Sequence, residues 1–296
     1  MARIQANGIQ IEYEEFGPKN GPAILLIMGL GAQLTRWPVD FIALLTGRGY
    51  RVIRYDNRDV GLSHKFDSAG PAPIPQLMAD MMQGKKISTA YSLSDMADDA
   101  AGLLDALGIA KAHVVGASMG GMIGQLVAAN HPNKTNSFTS IMSSTGNPEL
   151  PPAKPEAMAV LTNRPASDDL QALIDNGVKA ARTIGSPGYP ADEKTLRANI
   201  ETDLKRSNYP AGFSRQMAAV MACGDRRAAC AKISTPTLVI HGIDDPLVPI
   251  DAGRDTARNI RNAELLEIPG MGHDLPVALY GKIADAIDNL AKRASR

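Results

Sequence analysis

The chain is short of the residues that build special-purpose scaffolds. Its 296 residues include two cysteines, one tryptophan and only 4% aromatic residues. Cys223 and Cys230 lie in a helical-looking segment, on one face but about 10 Å apart along the axis, so no disulfide between them is expected. No metal-ligand spacing includes them, and they read as two small buried hydrophobes. An excess of either charge is missing too. Lys and Arg (31) balance Asp and Glu (31), which leaves no electrostatic footprint for nucleic acid or an anionic membrane and favours a small neutral substrate. No window reaches the roughly 18 apolar residues of a membrane span, and the stretch from Met1 to Glu15 has no apolar core of signal-peptide length. A cytoplasmic protein is therefore expected. What is present is an ordinary globular composition, 44% hydrophobic, sufficient for a sizeable core in one or two domains. Nothing in it forces either a monomer or a homodimer.

The chain is organised around residues Ala112 to Asn130. The apolar run His113 to Ala117 predicts a strand buried on both faces, and Met119 to Asn130 predicts a helix, which puts Ser118 at their junction. Gly116 and Gly120 flank the serine at two residues on either side, and neither has the Cβ that would collide where strand and helix meet closely. This Gly-x-Ser-x-Gly pattern predicts a nucleophile elbow. Such a turn holds the serine in a strained conformation with its hydroxyl exposed above a sheet. The N–H of the next residue, Met119, opens the helix and faces any oxyanion that develops there.

Before the elbow, Asn7-Gly8 and the alternation Ile9, Ile11, Tyr13 predict an antiparallel hairpin. Ala23 to Met28 predicts a second fully buried strand, ending in Gly29-Leu30-Gly31-Ala32. Glycines directly after a buried strand let a backbone N–H point into a site at the sheet's carboxyl edge, and the N–H of Leu30 is assigned as a second oxyanion donor. Trp37 is a candidate pocket residue, with core packing as the alternative. A helix over about Pro38 to Thr46 and a strand over Arg51 to Tyr55 follow. Within the charge-dense loop Asp56 to Ser63, Asp56 and Arg58 are expected to brace neighbouring loops rather than catalyse. Prolines then mark an insertion, 70–91, whose Leu77, Met78, Met81 and Met82 fit one face of a short helix; it is either a flap or a cover on the sheet edge. Leu93 to Leu107 is a strongly amphipathic helix stopped by Gly108.

Beyond the elbow helix, Ser137 to Ser143 predicts a strand. From 147 to 230 there are proline clusters and helical stretches, around Ala166 to Thr183 and Ala191 to Lys205, with no convincing strand. An all-helical insertion between parallel strands predicts a cap that covers the serine and excludes water. Phe213, Met217 and Met221 are its candidate lining residues, with core packing the alternative. The core is then 1–146 with 231–296. Thr237 to Gly242 resumes the sheet, and Asp244 and Asp245 in the loop just past it compete for the role of an acid that orients a histidine. A last strand, Ala263 to Ile268, leads to His273 between glycines and prolines. Of the five histidines, only His273 follows the acid in the order Ser, Asp, His. A neutral imidazole takes the serine proton and returns it to a leaving group, which an unassisted hydroxyl requires at neutral pH.

Over almost its whole length the sequence resembles the α/β-hydrolase superfamily, on Gly116-Ala-Ser-Met-Gly-Gly121, His241-Gly-Ile-Asp-Asp-Pro-Leu-Val-Pro249 and Gly270-Met-Gly-His273. Ile27-Met-Gly-Leu-Gly31, Trp37-Pro38, Ile53 to Ser63 and Ile268 to His273 are similar to the aclacinomycin methylesterase-like branch of carboxylesterases. The resemblance implies a mostly parallel sheet with flanking helices and a helical cap inserted before the last two strands. It implies Asp245 as the acid, since the family's acid precedes the x-x-Val-Pro ending, and it matches Leu30 and Met119 to the oxyanion amides. Met28 departs from the histidine that many relatives carry there, which weakens analogy to subgroups that rely on that imidazole. Relatives that open epoxides or carbon-halogen bonds use an aspartate where Ser118 stands, so their covalent route is closed here. The expected activity is hydrolysis of small or medium-sized carboxylic esters through an acyl-serine, with no metal or organic cofactor. A lactonase (acyl-homoserine lactone or enol-lactone), a carbon-carbon bond hydrolase and a small-molecule receptor are the alternatives.

Overall fold

The computed structural model describes residues 2–162 and 169–295. Its centre is an eight-stranded sheet of β1 (Ala2–Ala6), β2 (Ile9–Phe16), β3 (Ala23–Ile27), β4 (Arg51–Tyr55), β5 (Ala112–Ala117), β6 (Thr135–Ile141), β7 (Thr237–Gly242) and β8 (Glu264–Ile268). The spatial order is β1-β2-β4-β3-β5-β6-β7-β8. β1 and β2 form the antiparallel hairpin, turned at Asn7 and Gly8 with φ of 46° and 77°, the two positive values such a turn needs. β2 pairs antiparallel with β4, and from β4 to β8 every pairing is parallel. The carboxyl ends of β3 to β8 therefore share one edge, and the loops that follow them converge there.

Helices cover both faces. They are α1 (Val39–Thr46), α2 (Ile74–Met82), α3 (Leu93–Ala106), α4 (Met119–Asn130), α5 (Pro155–Thr162), α6 (Leu170–Ile184), α7 (Glu193–Arg206), α8 (Pro210–Cys223), α9 (Arg227–Cys230), α10 (Ile250–Asn259) and α11 (Tyr280–Ala294). Alternate residues of β3 divide between two cores: Leu25 and Ile27 pack with α3 and α4, Ile24 and Leu26 with α1 and α11. A strand buried on both faces has no polar side to show, which is why 23–27 is apolar throughout. α3 starts from a capping box, with Ser92 and Asp95 each satisfying the other's backbone N–H. The predicted strand at Ser137 ends early, at Ile141, because Met142 turns to φ 43° and leaves the extended region.

Between β6 and β7 the described residues are helical or irregular, without a strand. The first residues of the helix predicted from Ala166, 166–168, lie outside the described residues, and α6 begins at Leu170. One sequence expectation in this half is corrected. Cys223 and Cys230 close separate helices because Gly224, at φ 57°, breaks the segment between them; both thiols are free. In the earlier insertion the expected short helix forms as α2, and its apolar residues are unevenly covered: Leu77 is buried, whereas Met78 is 51% and Met82 90% exposed. That segment is tied to α8 instead, through Arg215 donating to Gly70 O (2.6 Å) and Ala72 N donating to Ser214 Oγ (3.0 Å).

The charged loop after β4 is a hub of buried ion pairs. Asp56 and Arg58 do not pair with each other but reach different elements. Asp56 accepts from the amides of Leu34 and Leu62 and meets Arg206 of α7, while Arg58 meets Asp99 of α3 at 2.6 Å. Asp59 pairs with Arg215 of α8 at 2.7 Å. Removing one partner of a buried pair leaves a charge without compensation. Asp99→Ala is accordingly expected to destabilise the fold by about 3–5 kcal/mol in denaturant titrations, whereas breaking an exposed, solvent-screened pair such as Arg182 with Glu193 should leave the unfolding midpoint unchanged.

His113 gives the fold a pH dependence. It lies in β5, 1% exposed, with Nδ1 2.8 Å from Ser137 Oγ, and burial pushes its pKa down to about 4. In the unfolded chain the ring titrates near 6.5, so between these values the unfolded state holds the extra proton. Stability from this group is complete above pH 6.5 and is lost as pH falls toward 4, up to about 3 kcal/mol. Urea unfolding of wild type and His113→Gln at pH 7 and pH 4.5 should show the smaller loss of stability in the variant.

Candidate active site

Ser118 sits where β5 passes into α4, with φ 56° and ψ −122°. A non-glycine residue held there costs on the order of 1–3 kcal/mol, and the surroundings hold it firmly. Its N–H donates to Ile141 O (2.9 Å), and its carbonyl accepts from Ser143 Oγ (2.8 Å) and Gly121 N (2.9 Å). The flanking glycines are required by contact. A Cβ on Gly116 would lie 2.1 Å from Gly120 O, and one on Gly120 would lie 2.1 Å from Ile27 O. The turn can therefore close only without side chains at those two positions.

The loops after β7 and β8 bring two more groups to Ser118. His273 Nε2 is 3.0 Å from Ser118 Oγ, and His273 Nδ1 is 2.7 Å from Asp245 Oδ2. The other Asp245 oxygen accepts from the amides of Leu247 (2.9 Å) and Val248 (2.8 Å), so the carboxylate is oriented by its own turn. The side chain of Asp245 is fully buried and that of His273 is 7% exposed. Asp244, the other candidate, accepts from Gly270 N at 2.7 Å, at the base of the histidine loop.

The remaining histidines are engaged elsewhere. His131 meets Asp98, His64 packs on Phe66, and His113 meets Ser137. His241 lies near the acid, Nε2 3.7 Å from Asp245 Oδ2, but that nitrogen is 2.7 Å from Val248 O, which fixes it as the protonated one. Burial lowers the pKa of His241, so the ring is neutral and does not compete with His273 for the charge of Asp245.

The loop after β3 lies against the serine: a Cβ on Gly29 would sit 3.1 Å from Ser118 Cβ and 3.6 Å from Oγ. Several contacts hold this loop. Asn57 Nδ2 donates to Met28 O (2.9 Å), Gly31 N donates to Gln216 Oε1 (2.8 Å), and Leu34 N donates to Asp56 Oδ1 (2.7 Å). With the Gly31 amide taken, the neighbouring Leu30 amide and that of Met119, first in α4, are left without a hydrogen-bond partner among the described residues.

Of the expected pocket residues, Phe213 lies over this loop, where a Cβ on Gly31 would be 2.5 Å from its ring, and it is half-buried. Met217, also half-buried, is one turn further along α8. Trp37 is corrected to a core residue. It is 0% exposed and stacked on Phe41 at 5.9 Å in the core beneath α1 and α11. Nothing in the sequence points to Asn57 or Gln216. Each acts through contacts between segments far apart in sequence, and a single polar residue in a helix or loop carries no periodicity or motif that reveals such a contact. Among the described residues no group of three or more His, Cys, Asp or Glu side chains is placed to hold a metal ion.

Residues 22–277 match the profile of the alpha/beta hydrolase fold family. The chain is 30% identical to a rhodomycin D methylesterase of Streptomyces sp. (strain C5), with 96% of this chain and 95% of that protein covered. It is 28% identical to a 2-hydroxy-6-oxononadienedioate/2-hydroxy-6-oxononatrienedioate hydrolase of Burkholderia vietnamiensis, over 90% of this chain and 85% of the other. Among solved structures, the enol-lactonase from Burkholderia xenovorans LB400 superposes with a TM-score of 0.72 at 23% identity, covering 98% of this chain and all of that one, a likeness of fold.

Proposed function

The chain belongs to the alpha/beta hydrolase fold family, and from that premise we propose that it hydrolyses carboxylic esters through an acyl-serine intermediate, with Ser118, His273 and Asp245 as the catalytic triad. The observation that carries this reading is the unbroken line of hydrogen-bonding groups from Ser118 Oγ through His273 to Asp245, at 3.0 and 2.7 Å, on a strained elbow. Asp245 accepts from Nδ1–H and so leaves Nε2 of His273 with a lone pair toward the hydroxyl. His273 takes the Ser118 proton as Oγ attacks the ester carbonyl, and the amides of Leu30 and Met119 donate to the oxyanion. The imidazolium returns the proton to the departing alkoxide. Water, deprotonated by the same ring, then attacks the acyl-enzyme and releases the acid and Ser118.

The inserted segment 147–230 supplies the proposed cap. Its contacts support this: Phe213 and Gln216 touch the loop after β3, and residues 184–188 touch the loop that carries His273. The similarity to a methylesterase supports a methyl ester as the first substrate class to examine.

The test is turnover of methyl esters of small and bulky acids and of p-nitrophenyl esters from acetate to palmitate. Lactones and a 2-hydroxy-6-oxodienoate are run alongside, and peptide masses are read after a fluorophosphonate probe. Multiple turnover on esters, with the phosphonyl group on the Ser118 peptide, is the expected result. Lactone or carbon-carbon cleavage without ester turnover would overturn the ester assignment. A folded protein that turns over none of them and leaves Ser118 unlabelled would overturn the hydrolase.

A further inference from the structure

The histidine loop is fastened to the inserted helical segment by a cluster of bonds centred on one hydroxyl. His273 N donates to Ile184 O at 2.7 Å, at the end of α6, and Gly188 N donates to Gly270 O at 2.9 Å. Between them, Ser186 Oγ accepts from Gly272 N at 2.9 Å and donates to Asp274 Oδ1. Ser186 is 4% exposed. The two backbones touch, since a Cβ on Gly272 would lie 2.4 Å from Gly185 O and 2.8 Å from Ile184 O. The residues before and after His273 are therefore both held by Ser186, and His273 itself by the carbonyl two residues earlier.

From this arrangement, and resting on the assignment of His273 as the base, we infer that Ser186 is a positioning residue that fixes the imidazole between Ser118 and Asp245 and couples it to the segment above. A hydroxyl is the only small group that both accepts from the Gly272 amide and donates to the Asp274 carboxylate. Alanine would leave the buried Gly272 amide without its acceptor, reduce the Asp274 carboxylate to its bond from the Ser186 backbone, and free the loop to shift. A displacement of about 1 Å is enough to cost on the order of 10²-fold in rate. Ser186 touches neither the reacting atoms nor the triad side chains, so its loss should leave ground-state substrate binding largely intact.

The same bond has an electrostatic reach. Three titratable side chains face His273: Asp245, Asp274 and the neutral His241. Burial raises the pKa of Asp274, and the bond from Ser186 opposes that rise. Without Ser186, Asp274 protonates at higher pH and stabilises the imidazolium less. Looser pairing with Asp245 acts in the same direction. Both effects withdraw negative charge from beside the imidazole, so the acid limb of the kcat/KM profile moves to lower pH.

The experiment measures kcat, KM and the pH profile of kcat/KM on one ester for wild type, Ser186→Ala, Ser186→Thr, Asp274→Asn and His273→Ala. In Ser186→Ala, kcat is expected to fall about 10–50-fold with KM within about 2-fold. Its acid limb should move to lower pH. Ser186→Thr, which keeps the hydroxyl, should recover most of kcat. Asp274→Asn, which keeps an acceptor for Ser186 but loses the charge, should shift the limb in the same direction, and it carries the test if Ser186→Ala does not fold. Wild-type kcat and an unmoved acid limb in both Ser186→Ala and Asp274→Asn would overturn the proposal while an inactive His273→Ala leaves the base assignment standing. An active His273→Ala would overturn the base assignment itself.

Discussion

Ser118→Ala is expected to lower kcat for ester hydrolysis on the order of 10⁶-fold while leaving the fold and its melting temperature unchanged. Alanine has the same Cβ, so it meets the same strain at φ 56° and the same contacts with β6. Only the hydroxyl is lost, and among the described residues its one hydrogen-bond partner is His273 Nε2. Residual turnover would come from water activated by His273 beside the amides of Leu30 and Met119, which are untouched. Ser118→Gly separates the two costs stored at this residue. It should be equally inactive, but glycine adopts the positive φ freely, so unfolding should require about 1–2 kcal/mol more than for wild type. Steady-state kinetics and thermal melts of the two variants check both statements. A Ser118→Ala protein that keeps even a hundredth of wild-type activity would remove Ser118 from the role of nucleophile.

That this serine stands on a strained turn was legible in the sequence because the constraint is local. Gly116 and Gly120 announce a backbone approach too close for any Cβ, and the apolar runs on either side say what approaches what. The parallel sheet was legible for a related reason. Strands such as Ala23–Ile27 and Ala112–Ala117, buried on both faces, have no polar residue to alternate with. The loops were less readable. The sequence alone left Asp244 and Asp245 as rivals. Their separation depends on the turn at 245–248, where two amides hold the Asp245 carboxylate inward, while Asp244 accepts from Gly270 across the loop. Trp37 shows the opposite failure. Its position after the glycine loop suggested a pocket, but which face of the sheet α1 covers is a tertiary fact, and that face puts the ring on Phe41. The partners least visible in sequence, Gln216 and Ser186, bind backbone groups about 185 and 86 residues away, and neither contact leaves a pattern in its own neighbourhood.

The turn that separates the two aspartates also dictates what an asparagine would do there. In Asp245→Asn the side-chain oxygen is drawn to the position of Oδ1, because only an acceptor satisfies the amides of Leu247 and Val248. The amide NH₂ must then occupy the place of Oδ2, 2.7 Å from His273 Nδ1. A donor there requires Nδ1 to be the unprotonated nitrogen, which moves the ring proton to Nε2. That nitrogen then donates to Ser118 Oγ instead of accepting from it, and the base is disabled with the site's shape intact. A loss in kcat of about 10⁴-fold is expected, with KM changed by less than about 3-fold. Asp244→Asn supplies the contrast, since an asparagine oxygen still accepts from Gly270 N, and kcat should stay within about 3-fold of wild type. Nitrogen-15 spectra of the imidazole report the tautomer directly. The expected spectrum shows Nδ1 protonated in wild type and Nε2 protonated in Asp245→Asn. If Asp244→Asn were the inactive variant, the acid would have to be reassigned to Asp244 and the observed pairing of Asp245 with His273 would have no part in the chemistry.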